Sequence, residues 1–186
     1  GNSPPATVNV LVAPASASLV EDFARSGINA SPLLPWTNYF GGGASGYWNL
    51  AGGMLVGGPD LPQQGTDGTY GIVYYASNWV DYSVEARIRF DPGAFGGGVA
   101  GRLDCGSTNG TRYAAWVYPS PDGGGWLRLV AFDGWVGKWT DLGELENQYP
   151  THLANVGTNW HTVKLDFQGS QIQVYFDGVG LFSPLI

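Results

Sequence analysis

The chain has 186 residues, enough for one sizeable core, and its 30 glycines and 12 prolines indicate many turns. Aromatic residues at 14% exclude a wholly disordered chain, because burying them offsets the ordering entropy. With eight lysines and arginines and a net charge of −7, the chain lacks the basic stripe that nucleic acid requires. No run of about 18 apolar residues occurs, so we expect no membrane insertion either.

The first 18 residues differ from the rest and are predicted to be a linker that carries one strand. Three valines alternate over residues 8–12, Pro14 ends the pattern, and Ala-Ser-Ala-Ser follows, which is typical of a linker. The strand belongs either to an upstream immunoglobulin-like module or to the edge of the next domain, and both alternatives stay open. That next domain is predicted to span residues 19–186.

The rest of the chain consists of short apolar runs between glycine-rich turns, which is typical of antiparallel β-structure. The clearest run is 82–90, where apolar and polar residues alternate without a break. The predicted strands are 47–50, 54–56, 71–76, 82–90, 97–104, 112–118, 126–132, 160–167 and 171–176. No segment keeps the 3.6-residue period for three turns, so we expect almost no helix. The sequence therefore predicts an all-β, two-sheet antiparallel sandwich.

The last predicted hairpin resembles that of a known family. Trp-His-Thr-Val at 160–163 opens one strand, and the next strand ends in Tyr-Phe-Asp-Gly at 175–178. This pair resembles a signature hairpin of laminin-G-like domains, within the concanavalin A-like lectin and glucanase superfamily. Bacterial surface modules share the layout, and the resemblance covers residues 19–180. It implies a jelly-roll sandwich that serves as a lectin, an adhesion module or a glycosidase.

The chain departs from this family at its end. In the family, one or two more strands follow the Asp-Gly turn, whereas only residues 179–186 follow it here, and Pro184 prevents a central strand. We therefore expect a sandwich that lacks its last strand or strands and has an open sheet edge. The strand at 8–12, or a neighbouring domain or chain, would complete that edge.

Arginines and aromatic residues occupy the polar positions of four predicted strands. If these strands are neighbours, alternation places their side chains on one face, opposite the core. The set expected on that face is Glu85, Arg87, Arg102, Arg112, Trp116, Tyr118 and Arg128. Guanidinium groups bind sugar hydroxyls or carboxylates, and aromatic rings stack on pyranoses, so this set favours glycan binding. The alternative is a solvated face held by Arg–Glu pairs.

A predicted loop carries two further candidate ligand-binding residues, Trp135 and Trp139. Large aromatic side chains in a loop are costly unless they bind a ligand or pack on the domain. The two tryptophans therefore either extend the glycan site or form a lid on the sandwich.

Catalysis would need two carboxyl groups, and Glu85 and Asp104 are the candidate acid and base on the same face. We expect Arg87 and Arg102 to hold them as ion pairs instead. Retaining glucanases of this fold carry Glu-x-Asp-x-x-Glu on one strand, and Asp-Leu-Gly-Glu-Leu-Glu at 141–146 does not match that spacing.

The family resemblance also implies a structural calcium near the chain ends. Asp22, at the start of the predicted domain, is the candidate ligand. Calcium takes about six to eight oxygen ligands, many of them backbone carbonyls. Zinc is not expected, because two histidines and one cysteine at wide spacing match no zinc pattern.

These observations favour a non-catalytic carbohydrate-binding or adhesion module of a secreted or cell-surface bacterial multidomain protein. Its expected partner is a glycan or polysaccharide. Two alternatives stay open: a hydrolase or lyase that acts on a glycan at the same face, and a structural spacer domain.

Overall fold

The structure is a computed structural model that describes residues 8–12, 18–21, 23, 36–40, 46–59, 71–104, 112–132, 139–141 and 151–185. Within these ranges the chain forms fifteen strands and no helix. The strands are β1 (Val8–Val12), β2 (Ser18–Glu21), β3 (Thr37–Phe40), β4 (Gly46–Ala51), β5 (Met54–Pro59), β6 (Gly71–Tyr74), β7 (Tyr82–Ile88), β8 (Gly97–Gly101), β9 (Arg112–Pro119), β10 (Gly125–Phe132), β11 (Trp139–Asp141), β12 (Thr151–Leu153), β13 (His161–Gln168), β14 (Gln171–Phe176) and β15 (Val179–Leu185).

One sheet has six antiparallel strands in the order β15-β14-β13-β7-β1-β2. The interior strand β7 follows the alternation of the sequence, because Tyr82 and Ala86 are buried in the core and Val84 and Ile88 pack against the same core cluster. The alternating pattern therefore identified the side of this strand that faces the core.

The second sheet has five antiparallel strands, with β11-β10-β9-β8 in order and β12 also paired to β10. Two short strands share one edge of β10, since β12 pairs with its first residues and β11 with its last. The strands β9 and β10 pair along their whole length, and Trp116 stands opposite Arg128. This long hairpin positions the site described below.

The two sheets pack face to face around one apolar core. Leu127, Leu129 and Val117 of the five-stranded sheet join Leu165 and Phe167 of the six-stranded sheet in a single buried cluster. Burial of these side chains removes apolar surface from water and holds the two layers together. The prediction of an all-β antiparallel β-sandwich is confirmed.

The first and the last described strands, β1 and β15, both belong to the six-stranded sheet. β1 is hydrogen-bonded on both sides, between β7 and β2. β15 follows the Asp-Gly turn and forms the other edge, where Pro184 is tolerated because an edge strand has one unpaired side. The predicted boundary after residue 18 and the expected loss of final strands stay predictions.

Two small sheets, β3–β6 and β4–β5, complete the described structure. The hairpin β4–β5 was expected from its Gly-Gly turn, and both Gly52 and Gly53 adopt positive φ (58° and 72°), as a tight hairpin turn requires. Leu50 of this hairpin forms a second buried cluster with Phe23, against which Trp160 packs.

A contact between His161 and Asp177 stabilises the terminal hairpin formed by β13 and β14. His161 is buried, with Nδ1 2.7 Å from Oδ2 of Asp177 and Nε2 2.8 Å from the carbonyl oxygen of Val156. The other carboxylate oxygen of Asp177 accepts the amide of Thr162 at 2.8 Å. These two residues belong to the Trp-His and Asp-Gly pairs of the sequence, so the structure gives a physical reason for their joint presence.

We expect Asp177→Ala to lower the free energy of unfolding by about 1–3 kcal/mol, because it leaves a nitrogen of the buried His161 without its acceptor. Chemical denaturation with urea measures the change. Asp91→Ala is the control, since Asp91 forms an exposed ion pair with Arg89 whose loss is expected to cost under about 1 kcal/mol. Equal stability of the two variants would contradict the role of the histidine–aspartate pair.

Candidate functional site

The outer face of the five-stranded sheet is defined by alternation along β9 and β10. Val117, Leu127 and Leu129 point into the core, so the residues between them point away from it. The outward residues are Arg112, Ala114, Trp116 and Tyr118 on β9, and Trp126, Arg128 and Val130 on β10. In the strand register, Tyr118 stands opposite Trp126 and Trp116 opposite Arg128.

This outer face is buried at one end and open at the other. Arg112 is only 3% exposed, and Ala114 and Val130 form a small buried cluster beside it. Trp126, at the other end, is 41% exposed. A ligand from solution therefore has access to the Trp126 end, and the guanidinium of Arg112 lies outside its reach.

We call the open end the aromatic patch, and its members are Phe95, Trp116, Tyr118, Trp126, Arg128 and His152. The ring of Tyr118 is its centre: Phe95 lies 5.6 Å away and Trp116 6.3 Å away, between ring centroids. The guanidinium carbon of Arg128 lies 5.2 Å from the centroid of the same ring, a cation–π distance. The rings of Trp116 and Tyr118 and the guanidinium of Arg128 therefore pack together on the paired strands β9 and β10.

The open side of the patch consists of Trp126, His152 and Phe95. Because β12 pairs with β10, His152 stands opposite Trp126, and their ring centroids are 4.8 Å apart. Phe95, just before β8, is 39% exposed. Two large apolar side chains therefore face solvent at the open end of the outer face, which marks a candidate interaction site.

Two glycines, Gly96 just before β8 and Gly98 within it, keep space beside Trp116. A Cβ on Gly96 would lie 2.7 Å from Nε1 of Trp116, and one on Gly98 would collide with the backbone of Ala115. Since β8 approaches this closely, any side chain at these positions would force the strands apart. The close packing of β8 against Trp116 therefore requires glycine at these two positions, although neither glycine could contact a ligand through a side chain.

The turn between β9 and β10 places a carboxylate near the patch. Oδ1 of Asp122 accepts the amide of Gly124 at 3.1 Å. The pKa of Asp122 lies below its ordinary value, chiefly because the Ser120 side chain hydrogen-bonds to it, then because of the Gly124 amide, with a smaller effect of His152. The carboxylate form is therefore stabilised in the folded turn.

We expect Asp122 to titrate below the ordinary value of 3.8 when its carboxyl carbon is followed by NMR. A folded pKa below the unfolded one adds stability that is present above the unfolded pKa and is lost as pH falls through the folded pKa. Ser120→Ala should move the midpoint back toward 3.8, because it removes the largest cause. A midpoint at or above 3.8 in the parent protein would contradict this.

Two residues expected on this face lie on the other sheet. Glu85 and Arg87 belong to β7, which pairs with β1 and β13 rather than with β8. The prediction of one shared face is therefore wrong for these residues. The guanidinium of Arg87 instead lies 5.5 Å from the ring centroid of Trp160.

Arg102 lies at a corner of the sandwich rather than on the outer face, because β8 ends at Gly101 and φ of Arg102 is positive (52°). Its guanidinium lies 5.0 Å from the centroid of Phe167 and donates to the carbonyl oxygen of Gly169. Arg102 thus ties the end of β8 to the six-stranded sheet. The exposed Asp104 follows it, at the opposite end of β8 from the aromatic patch.

The remaining predicted site residues fall on other parts of the chain. Trp135 and the candidate calcium ligand Asp22 lie outside the described residues, and Trp139 is described only through the backbone of β11, where it stands opposite Phe132. Among the residues that the structure describes, no three His, Cys, Asp or Glu side chains cluster as a metal site would require. The calcium stays a prediction.

Sequence patterns identified only part of the patch. Alternation placed Trp116, Tyr118 and Arg128 on one face, and Trp126 follows from the same pattern because it precedes Arg128 by two residues. Phe95 lies between strands and His152 on a three-residue strand, where alternation gives no signal. Phe95 and His152 belong to the patch because contacts between residues distant in sequence bring them beside Tyr118 and Trp126.

Comparison of the chain with protein-family models, with curated proteins and with solved structures gave no match. None of the described segments forms a helix with the length and apolarity that crossing a bilayer requires. The aromatic patch must therefore be interpreted from its own geometry.

Proposed function

We propose that the chain is a non-catalytic carbohydrate-binding or adhesion module whose binding site is the aromatic patch. The observation that carries the proposal is the exposure of Trp126, 41% open to solvent beside Tyr118 and His152 on paired strands. The proposal includes a jelly-roll sandwich of the concanavalin A-like type and a secreted or cell-surface bacterial protein, both suggested by the terminal hairpin.

The chemistry of the patch suits a sugar. Aromatic faces stack on the apolar faces of pyranoses, while the indole N–H of Trp126 and the ring nitrogens of His152 can hydrogen-bond to hydroxyls. A sheet holds these groups more firmly than a loop would, so less ordering entropy is lost on binding. The net charge of −7 favours a neutral glycan over a polyanionic one.

The positions of the candidate carboxylates favour binding over turnover. Hydrolysis of a glycoside needs two carboxyl groups about 5–10 Å apart across the scissile bond. Glu85 lies on the other sheet, and Asp104 follows the end of β8 far from Trp126. Neither supports the patch as acid or base, so the hydrolase and lyase alternative gains no support from this arrangement.

A glycan array probed with the purified chain tests the proposal, together with chromatography of each bound glycan after long incubation. Binding of one glycan class without product is the expected result. Release of shorter products would favour the enzyme alternative. Absence of binding to any glycan at millimolar concentration would overturn the proposal and favour the spacer alternative.

A further inference from the structure

Four rings of the aromatic patch form a row that runs across the strands. Tyr118, Trp126 and His152 occupy register-matched positions on β9, β10 and β12, and Phe95 adjoins Tyr118 on the side of β8. Neighbouring strands lie about 4.8 Å apart, so the row extends over roughly 14 Å. The row is longer than a single sugar ring, and it offers several stacking positions.

The rings in this row are not coplanar. Phe95 and Tyr118 meet at 84°, and Trp126 and His152 at 78°. A flat crystalline polysaccharide surface could contact only one or two such rings at a time, because it is rigid. A single glycan chain, in contrast, rotates about its glycosidic bonds and can present successive sugars at different angles.

Both ends of the row lie at edges of the five-stranded sheet. β8 is the edge strand on one side, and on the other side β12 pairs with β10 alone among the described strands. Along the strand direction, Trp116 and Arg128 flank one side of the row and the turn that holds Asp122 flanks the other. Within the part of the chain that the structure describes, the row is flanked along its length and its two ends reach the edges of the sheet.

From this arrangement we infer that the ligand is an internal stretch of a single, non-crystalline glycan chain, several sugars long, lying perpendicular to β9 and β10. The inference rests on the proposed function and specifies which form of glycan the site accepts. A binder of chain ends would instead need a closed end that contacts the terminal hydroxyls, and a binder of crystalline polysaccharide would need a flat platform.

Calorimetric titration tests the inference with cello-, xylo- and laminari-oligosaccharides, from the monosaccharide to the hexasaccharide. For the series that binds, affinity should rise about two- to tenfold with each added stacking contact and then level off. Reduction of the terminal sugar of the hexasaccharide should change its affinity less than about twofold. Pull-down with crystalline cellulose should not enrich the chain.

Variants at one end of the row sharpen the test. Phe95→Ala should weaken hexasaccharide binding by about two- to tenfold and leave disaccharide binding nearly unchanged, because a short ligand still stacks on Trp126. Tyr75→Ala is the matched control, since Tyr75 is similarly exposed, at 38%, and packs against Trp36 and Trp79 instead. It should change neither affinity.

Two kinds of failure are distinguishable. No binding of any oligosaccharide, on the array or in solution, would overturn the proposed function itself. Monosaccharide binding as tight as hexasaccharide binding, loss of affinity on reduction of the terminal sugar, or enrichment on crystalline cellulose would overturn the inference while glycan binding stands.

Discussion

Trp126→Ala is expected to weaken glycan binding by about tenfold to thirtyfold, because Trp126 is the most exposed large apolar ring of the patch. Truncation removes the stacking surface and also the ring that packs against His152. Stability should change little, since the side chain is 41% exposed in the folded chain. Isothermal titration with the tightest ligand from the array measures the loss.

The control for this result is Tyr75→Ala, which removes an aromatic side chain of similar exposure away from the patch. Its affinity for the same ligand should match that of the parent chain. Thermal unfolding of both variants shows whether the fold is retained. Unchanged affinity of Trp126→Ala, or an equal loss in both variants, would show that the patch does not bind the glycan.

Phe167→Ala is expected to have the largest effect on stability, a loss of about 3–5 kcal/mol. Phe167 is fully buried, its ring lies 5.0 Å from that of Tyr82, and Arg102 covers it. The absence of a Cβ at Gly101 makes room for the same ring. Removing the ring leaves a cavity between the two sheets. It also removes the surface on which the Arg102 guanidinium packs. Guanidinium denaturation measures the change.

Phe95→Ala is the matched control for this change, because it deletes the same atoms from a phenylalanine that is 39% exposed. We expect its cost in stability to be under about 1 kcal/mol. If Phe167→Ala unfolds at the same denaturant concentration as the parent chain, Phe167 is not part of a continuous core between the two sheets.

Local alternation predicts a strand and its two faces, and for β7 and β9 it did so correctly. It does not predict which strands are neighbours, because pairing joins residues far apart in sequence. β7 pairs with β13, some eighty positions along the chain, so Glu85 and Arg87 lie on a different sheet from Trp116. For this reason, the site residues predicted to share one face are distributed between the two sheets.

Two further differences have other physical causes. Arg102 was expected to continue the alternation of β8, but the strand ends at Gly101 and the backbone turns to positive φ, which redirects the side chain toward Phe167. Arg112 does keep its outward register, yet it is buried with Ala114 and Val130. Alternation reports the direction of a side chain and carries no information on what covers a face.

The terminal hairpin shows the opposite case, because its two strands were predicted from the sequence and are paired neighbours in the structure. The histidine and aspartate that prompted the resemblance to laminin-G-like domains are 2.7 Å apart across β13 and the turn after β14. This contact depends on the register between β13 and β14, and the short turn that joins these two strands fixes that register. Motifs of this kind indicate local structure, whereas the proposed glycan-binding role rests on the aromatic patch.

The central claim is that a glycan binds at the aromatic patch, and NMR titration of the isotope-labelled chain tests it most directly. With the tightest array ligand, we predict that amide signals of residues 95–98, 116–118, 126–128 and 151–153 shift together and saturate at one affinity. Shifts confined to the outer face of the six-stranded sheet, at residues 83–87 and 162–166, would contradict the claim.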